Sequence, residues 1–284
     1  MNSAYRMQKF QDWFTQQWVI LLGRKINPVE HSWLIGPFGE LSGIGENFIY
    51  QLAQKENLTV IRNCSSKGLL HSISNLNLTE KEIKKLSRKV IDFYEKTADY
   101  KLQLNVQWSP LFKPLGYLVS RLFSQRIDQL NIPTENIQES ENLTSEIIEL
   151  ISNGTENVKY IIWLRKVQST GKVIYSGIYT TCTLPSKITC IKAIFPLPKG
   201  NATVILKPTV GNQNELILES SGLRFGDAGF YFLLNDSKGN YWSQYVRSFA
   251  DELVVSEEQE NLKAKQTLKL WNLKVVKFDY RIIK

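Results

Sequence analysis

The stretch that decides the architecture runs from Tyr160 to Leu184, YIIWLRKVQSTGKVIYSGIYTTCTL. Two arms rich in β-branched and aromatic residues flank Ser169-Thr170-Gly171, so the spacing predicts a β-hairpin that reverses at the glycine. Because side chains alternate faces along a strand, Ile161 and Trp163 take one side and Ile162 and Leu164 the other. In the second arm Ile174 and Ile178 oppose Val173, Tyr175 and Tyr179 by the same rule. Both faces are apolar. Such a hairpin must be covered on both sides, which places it in the middle of the molecule and not at a margin.

Outward from the hairpin, almost every segment after Glu146 reads as strand. Turn residues punctuate it at short intervals, among them Asn153-Gly154, Pro196 to Asn201, Gly222 to Gly229 and Asp236 to Asn240. Short turns imply antiparallel neighbours, and a meander of about nine such strands curls into a barrel or a curved half-barrel. The last stretch, residues 262–282, carries Leu262, Ala264, Leu268 and Leu270 inward by alternation, with Val276, Phe278, Tyr280 and Ile282 keeping that parity after Asn272. Lysines 263, 265, 269, 274 and 277 then mark a solvent face.

The upstream half reads differently. Phe10, Trp13, Phe14, Trp18, Leu21 and Leu22 recur at helical spacing within residues 8–22, which predicts an amphipathic helix whose stripe packs on the protein or contacts a partner protein or a membrane surface. Thr79-Glu80-Lys81-Glu82 is a capping box, and Ile83, Leu86, Val90, Phe93, Tyr94 and Thr97 line one face of the helix it opens. Residues 100–108 alternate as a half-buried strand, although nothing in them forbids a helix. A further helix follows Pro114. Residues 131–145 are polar with no apolar period, so the expected division is a mainly helical region at 1–132, a linker at 133–145 and an antiparallel barrel at 146–284. The fold class is α+β, a helical N-terminal half packed on a C-terminal antiparallel β-meander.

Composition narrows the function classes. The net charge of +8 is spread thinly, with an excess of +3 in residues 1–142 and +5 in 143–284, and the cluster at 81–89 occupies the polar face of a helix. No nucleic-acid footprint stands out. Three cysteines exclude a disulfide framework; Cys182 and Cys190 flank one turn and are expected as buried thiols in a reducing, cytoplasmic setting. No run is long and apolar enough for a spanning helix, and no export signal is visible.

Dedicated catalytic motifs are sparse. His31 and His71 belong to no metal-ligand pattern, so no metal or other cofactor is expected. The glycine-rich segment 36–46 lies between two short apolar runs and a helix, the order a dinucleotide site uses. Yet Phe48 stands where the third glycine belongs, and Glu40 and Glu46 sit where phosphate would. What remains is a set of polar residues inside apolar β segments. Trp163, Arg165, Tyr175, Tyr179, Tyr245, Arg247, Asp279 and Arg281 are the candidate ligand-binding residues, because polar groups converging in a barrel make an apolar pocket with a few orienting contacts. The favoured reading is a non-enzymatic binding protein for a small amphipathic or apolar ligand. The alternatives are an enzyme using a nucleotide at 36–46 or the interior Arg, Asp and Tyr groups, and a structural or interaction module. The strand pattern resembles that of lipocalin-like carriers, but it lacks their Gly-x-Trp opening and implies no membership.

Overall fold

The computed structural model describes residues 10–40, 44–119, 131–133 and 141–284. Its helices are α1 (Phe10–Leu22), α2 (Asn47–Glu56), α3 (Glu80–Lys85), α4 (Arg88–Glu95) and α5 (Lys113–Val119). Three strands lie in the first half: β1 (Arg24–Ile26), β2 (Leu58–Ile61) and β3 (Lys101–Trp108). Eleven follow: β4 (Glu141–Ser152), β5 (Val158–Val167), β6 (Val173–Thr183), β7 (Thr189–Leu197), β8 (Gly200–Val210), β9 (Leu216–Glu219), β10 (Gly229–Asn235), β11 (Tyr241–Tyr245), β12 (Phe249–Glu258), β13 (Asn261–Leu270) and β14 (Leu273–Ile283).

Ten of these strands close a ring in the order β8-β7-β6-β5-β4-β3-β14-β13-β12-β9, with β9 returning to β8. Every pairing is antiparallel. Closure works because β8 divides one edge between two partners. Residues 200–205 pair with β10, which leads out to β11 and β1, and residues 207–210 pair with β9 inside the ring. A sheet this wide would otherwise expose two unpaired edges, and closing on itself removes them.

The central hairpin is covered on both sides. Ile161 and Trp163 face the barrel interior, where they join Leu102, Leu104, Val106 and Phe278 in one core. On the outside, Ile162, Leu164 and Ile178 pack under α2 through Phe48, Ile49 and Leu52. Farther along the outer wall, Cys182, Cys190 and Ile205 are covered by Leu34, Tyr231 and Leu233. The expected parity of the second arm needs one correction. The β5–β6 register slips between Arg165 and Lys166, so Ile174 is an extra residue that joins Tyr175 in the interior cluster, and Val173, expected on that side, joins Ile178 outside.

The first half is not a helical layer; the protein is mostly β, and its helices are short. β3 stands between β4 and β14 as a wall strand, and its alternation is real, with Leu102, Leu104 and Val106 buried. Residues 141–145, part of the polar stretch, are the start of β4. Residues 134–140 of the expected linker lie outside the described residues. The helix opened at Thr79 stops at Lys85, because Leu86 turns extended and Ser87 caps a second helix, accepting from the Lys89 amide. Glu46 is engaged by Lys166 and Arg62, and Arg62 reaches on to Glu146, which ties α2 to the wall at β4 and β5. Trp33 and Leu34 form a turn, and β2 runs antiparallel to β4, so the strand-glycine-helix-strand unit of a dinucleotide site is not formed.

Because β3 supplies two of the ring's pairings, a fragment of residues 133–284 is expected to lack a cooperative unfolding transition, whereas the whole chain has one. Circular dichroism during a urea titration checks this, and a sharp transition in the fragment would show that the ring closes without β3.

Candidate ligand-binding cavity

A ten-stranded ring is wide enough that side chains do not fill it. A cavity of about 390 Å³ remains inside, within the range of roughly 300–1,000 Å³ typical of small-molecule sites. One end is filled by Leu69, Leu70 and the α4 residues Phe93 and Tyr94. Trp108, Phe112, Gly116, Phe230, Phe249, Leu270 and Val275 line the other. Gly177 sits opposite Trp163 in the β5–β6 ladder. A Cβ there would come within 2.8 Å of the Phe195 ring, so the glycine leaves room for the neighbouring rings.

Among the described residues, the wall is apolar except for one group of side chains. Arg165 is 6% exposed and reaches inward from β5. Its guanidinium carbon lies 3.9 Å from the centroid of the Trp163 ring and 4.5 Å from that of Tyr175. Nη2 donates to the Tyr179 hydroxyl at 3.0 Å, and Nε has no partner. The indole is fixed in turn, since Trp163 Nε1 donates to Ser145 Oγ at 2.8 Å. Among the described residues, no carboxylate comes within ion-pair distance of Arg165. A buried cation without a counter-ion costs several kcal/mol, and aromatic faces return only about 2 kcal/mol of that.

Asp251 on β12 also lines the cavity and is 6% exposed. Its Oδ2 accepts from Gln266 Nε2 at 2.7 Å, and its Oδ1 has no partner. Burial pushes its carboxyl up from 3.8 to about 7, against the opposing pull of the Gln266 hydrogen bond. Its neutral form therefore persists to higher pH than that of an exposed carboxyl. Tyr280 on β14 completes the group. Its hydroxyl lies in the field of Arg165 without a well-formed hydrogen bond, and burial raises it to about 12. Burial likewise raises Tyr175 and Tyr179. The cavity thus presents a cation, a carboxyl that is easily kept neutral and several phenols to whatever fills it.

Four of the eight residues singled out in the sequence meet here, namely Trp163, Arg165, Tyr175 and Tyr179. The other four do not. Tyr245 lies on β11 outside the ring, packed on Tyr231 with its hydroxyl donating to the Gly222 carbonyl at 2.6 Å. Arg247 is exposed in the turn after β11. Asp279 and Arg281 alternate with the buried Phe278, Tyr280 and Ile282 and so face outward, Asp279 held by Lys277 at 2.6 Å. Asp251 and Gln266 were missed. Gln266 shares the parity of Ala264 and Leu268, and a polar residue at an inward position was the signal that marks it. Cys182 and Cys190 face one another across β6 and β7 as buried thiols, pushed up to about 11 and about 12 by burial. No cluster of His, Cys, Asp and Glu suited to a metal ion occurs among the described residues.

The raised Asp251 has a stability consequence of definite sign. Between its unfolded value near 3.8 and its folded value of about 7, the unfolded chain ionises first, so this group removes stability as pH rises through that window. In urea denaturation, Asp251→Asn is expected to gain on the parent protein as pH rises from about 4 to 7, by about 1–3 kcal/mol, and then to hold level. A difference independent of pH would mean that Asp251 titrates as an exposed carboxyl.

No family model matches the chain, and no solved structure matches it. Over 192 residues it is 29% identical to the uncharacterized membrane protein YndJ of Bacillus subtilis (strain 168), an alignment covering 66% of this chain and 33% of that protein. The chain therefore corresponds to about a third of this relative's length, and no helix among its own described residues is long and apolar enough to cross a membrane.

Proposed function

We propose that the barrel binds a small amphipathic anion, with the apolar body in the cavity and the charged head against Arg165, Tyr179 and Tyr280. The observation that carries this reading is the Arg165 guanidinium, buried at the cavity wall with an unpartnered Nε and, among the described residues, no ion-pair partner. An incoming carboxylate would supply the missing counter-charge, and a protonated Asp251 would oppose it less than an ionised one. The rest of the lining is aliphatic and aromatic, which suits an alkyl chain. Similarity to a protein described as a membrane protein favours an amphiphile of lipid origin.

Calorimetric titration with dodecanoate and dodecanol tests the reading. The parent protein is expected to prefer the acid. Arg165→Leu should lose about ten- to hundredfold in affinity for the acid and little for the alcohol. Equal affinities for acid and alcohol in the parent would remove the anion from the proposal, and no binding of either would remove the ligand class.

One observation favours a second reading. A carboxyl raised to about 7 in the same cavity as an arginine and three tyrosines is also the equipment of an acid-base catalyst acting on the bound molecule. Recovery of the bound amphiphile chemically unchanged after prolonged incubation, followed by mass spectrometry, would count against it. A new product that fails to form with Asp251→Asn would support it.

A further inference from the structure

The end of the barrel lined by Phe112, Gly116, Leu270 and Val275 carries a surface that the cavity does not use. Three segments meet there. The turn after β3 is bonded to the start of β14, with the Ser109 amide donating to the Val275 carbonyl at 2.9 Å. The β13–β14 turn is bonded to the segment before β12, with the Trp271 amide donating to the Ser248 carbonyl at 2.8 Å.

From these segments apolar side chains project into solvent, Leu111 at 72% exposure and Trp271 at 69%, with Tyr117 and Leu273 also exposed. Trp271 occupies the first position of a two-residue turn at φ +49, followed by Asn272 at φ +64. A positive φ is unfavourable for a bulky residue, and burial does not repay it here, because the indole is in water. The turn segments at this end carry cations, and the next acids along β12 are Asp251, buried inside the barrel, and Glu252, on the outer face diagonal to Lys269. Residues 109–117, 246–250 and 268–275 contain Lys113, Arg247, Lys269 and Lys274 and no Asp or Glu. Lys269 and Lys274 are direct cross-strand partners, an arrangement that repels unless an anion lies nearby. None of the four has an ion-pair partner among the described residues.

We propose that this end of the barrel docks on an anionic lipid bilayer, with Trp271, Leu111, Leu273 and Tyr117 entering the interface and the four cations meeting the headgroups. Exposed aromatic and aliphatic tips ringed by Lys and Arg suit a surface that is oily beneath and negative above. An acidic protein would use the cations but leave the indole without an apolar layer to enter. Because docking uses the outer rim and ligand binding uses Arg165 inside, either can fail without the other.

Co-sedimentation with vesicles tests the proposal. The whole chain should pellet with phosphatidylcholine vesicles containing a minority of phosphatidylglycerol and stay in the supernatant with phosphatidylcholine alone; added salt should release it. Trp271→Ser, and separately the double variant Lys269→Ser with Lys274→Ser, should each weaken binding at least about tenfold. Both changes are on the surface, so an unchanged thermal midpoint establishes that the fold persists. Arg165→Leu should pellet like the parent. Equal binding to both vesicle types, or full binding by Trp271→Ser, would overturn the proposal. So would a dimer in light scattering that Trp271→Ser dissolves, since the apolar rim would then belong to a second copy.

Discussion

Closure of the ring depends on how β8 spends its hydrogen bonds. Its edge is long enough to bond β10 over residues 200–205 and β9 over residues 207–210, so one strand both joins the barrel and launches the flap formed by β10, β11 and β1. Unpaired backbone groups away from water are costly, and neither half of that edge can be left open. Once β9 is fixed on β8, β12 is fixed on β9, and the sheet returns to its beginning with every wall strand bonded on two sides.

A closed ring of this width encloses space, and what projects into that space sets its chemistry. Most positions are aliphatic or aromatic, which makes the few polar ones consequential. Arg165 is held by two aromatic faces and one phenol, and Asp251 lies on another wall strand with half its carboxylate unsatisfied. Low dielectric strengthens each of these interactions and also raises the cost of leaving any of them incomplete. The interior is therefore a place where stability and binding are set by the same side chains. The rim is physically separate, since its apolar tips and lysines stand outside the wall and contribute little to the core.

Parity errors account for most of what sequence reading misplaced. Ile174 faces inward because a one-residue slip in the β5–β6 register resets the alternation, and no residue type announces such a slip. Asp279 and Arg281 interrupt a strand of inward aromatic residues, yet alternation itself already places them outside. Trp271-Asn272 carries no turn signal of its own in the sequence, because tryptophan is a poor candidate for a positive φ. Helix ends were set by partners distant in sequence: the Ser87 amide donates to the Asn214 carbonyl at 2.9 Å just where the expected long helix breaks.

The amino-acid sequence by itself determined that the 160–184 hairpin is buried on both faces and that the second half is antiparallel β, and it placed Trp163, Arg165, Tyr175 and Tyr179 within reach of one another on a single hairpin. These follow from local periodicity and from adjacency within one hairpin. The second half is not a simple meander, since β9 and β10 both pair with β8 and β12 pairs with β9 in place of β11. Only the tertiary structure decided that residues 101–108 are a wall strand of the same barrel, and that Asp251, Gln266 and Tyr280 complete the polar group around Arg165. The reason is that alternation fixes which face a side chain takes, whereas its neighbours across the ring depend on strand order and register, which are settled by hydrogen bonds between segments far apart in the chain.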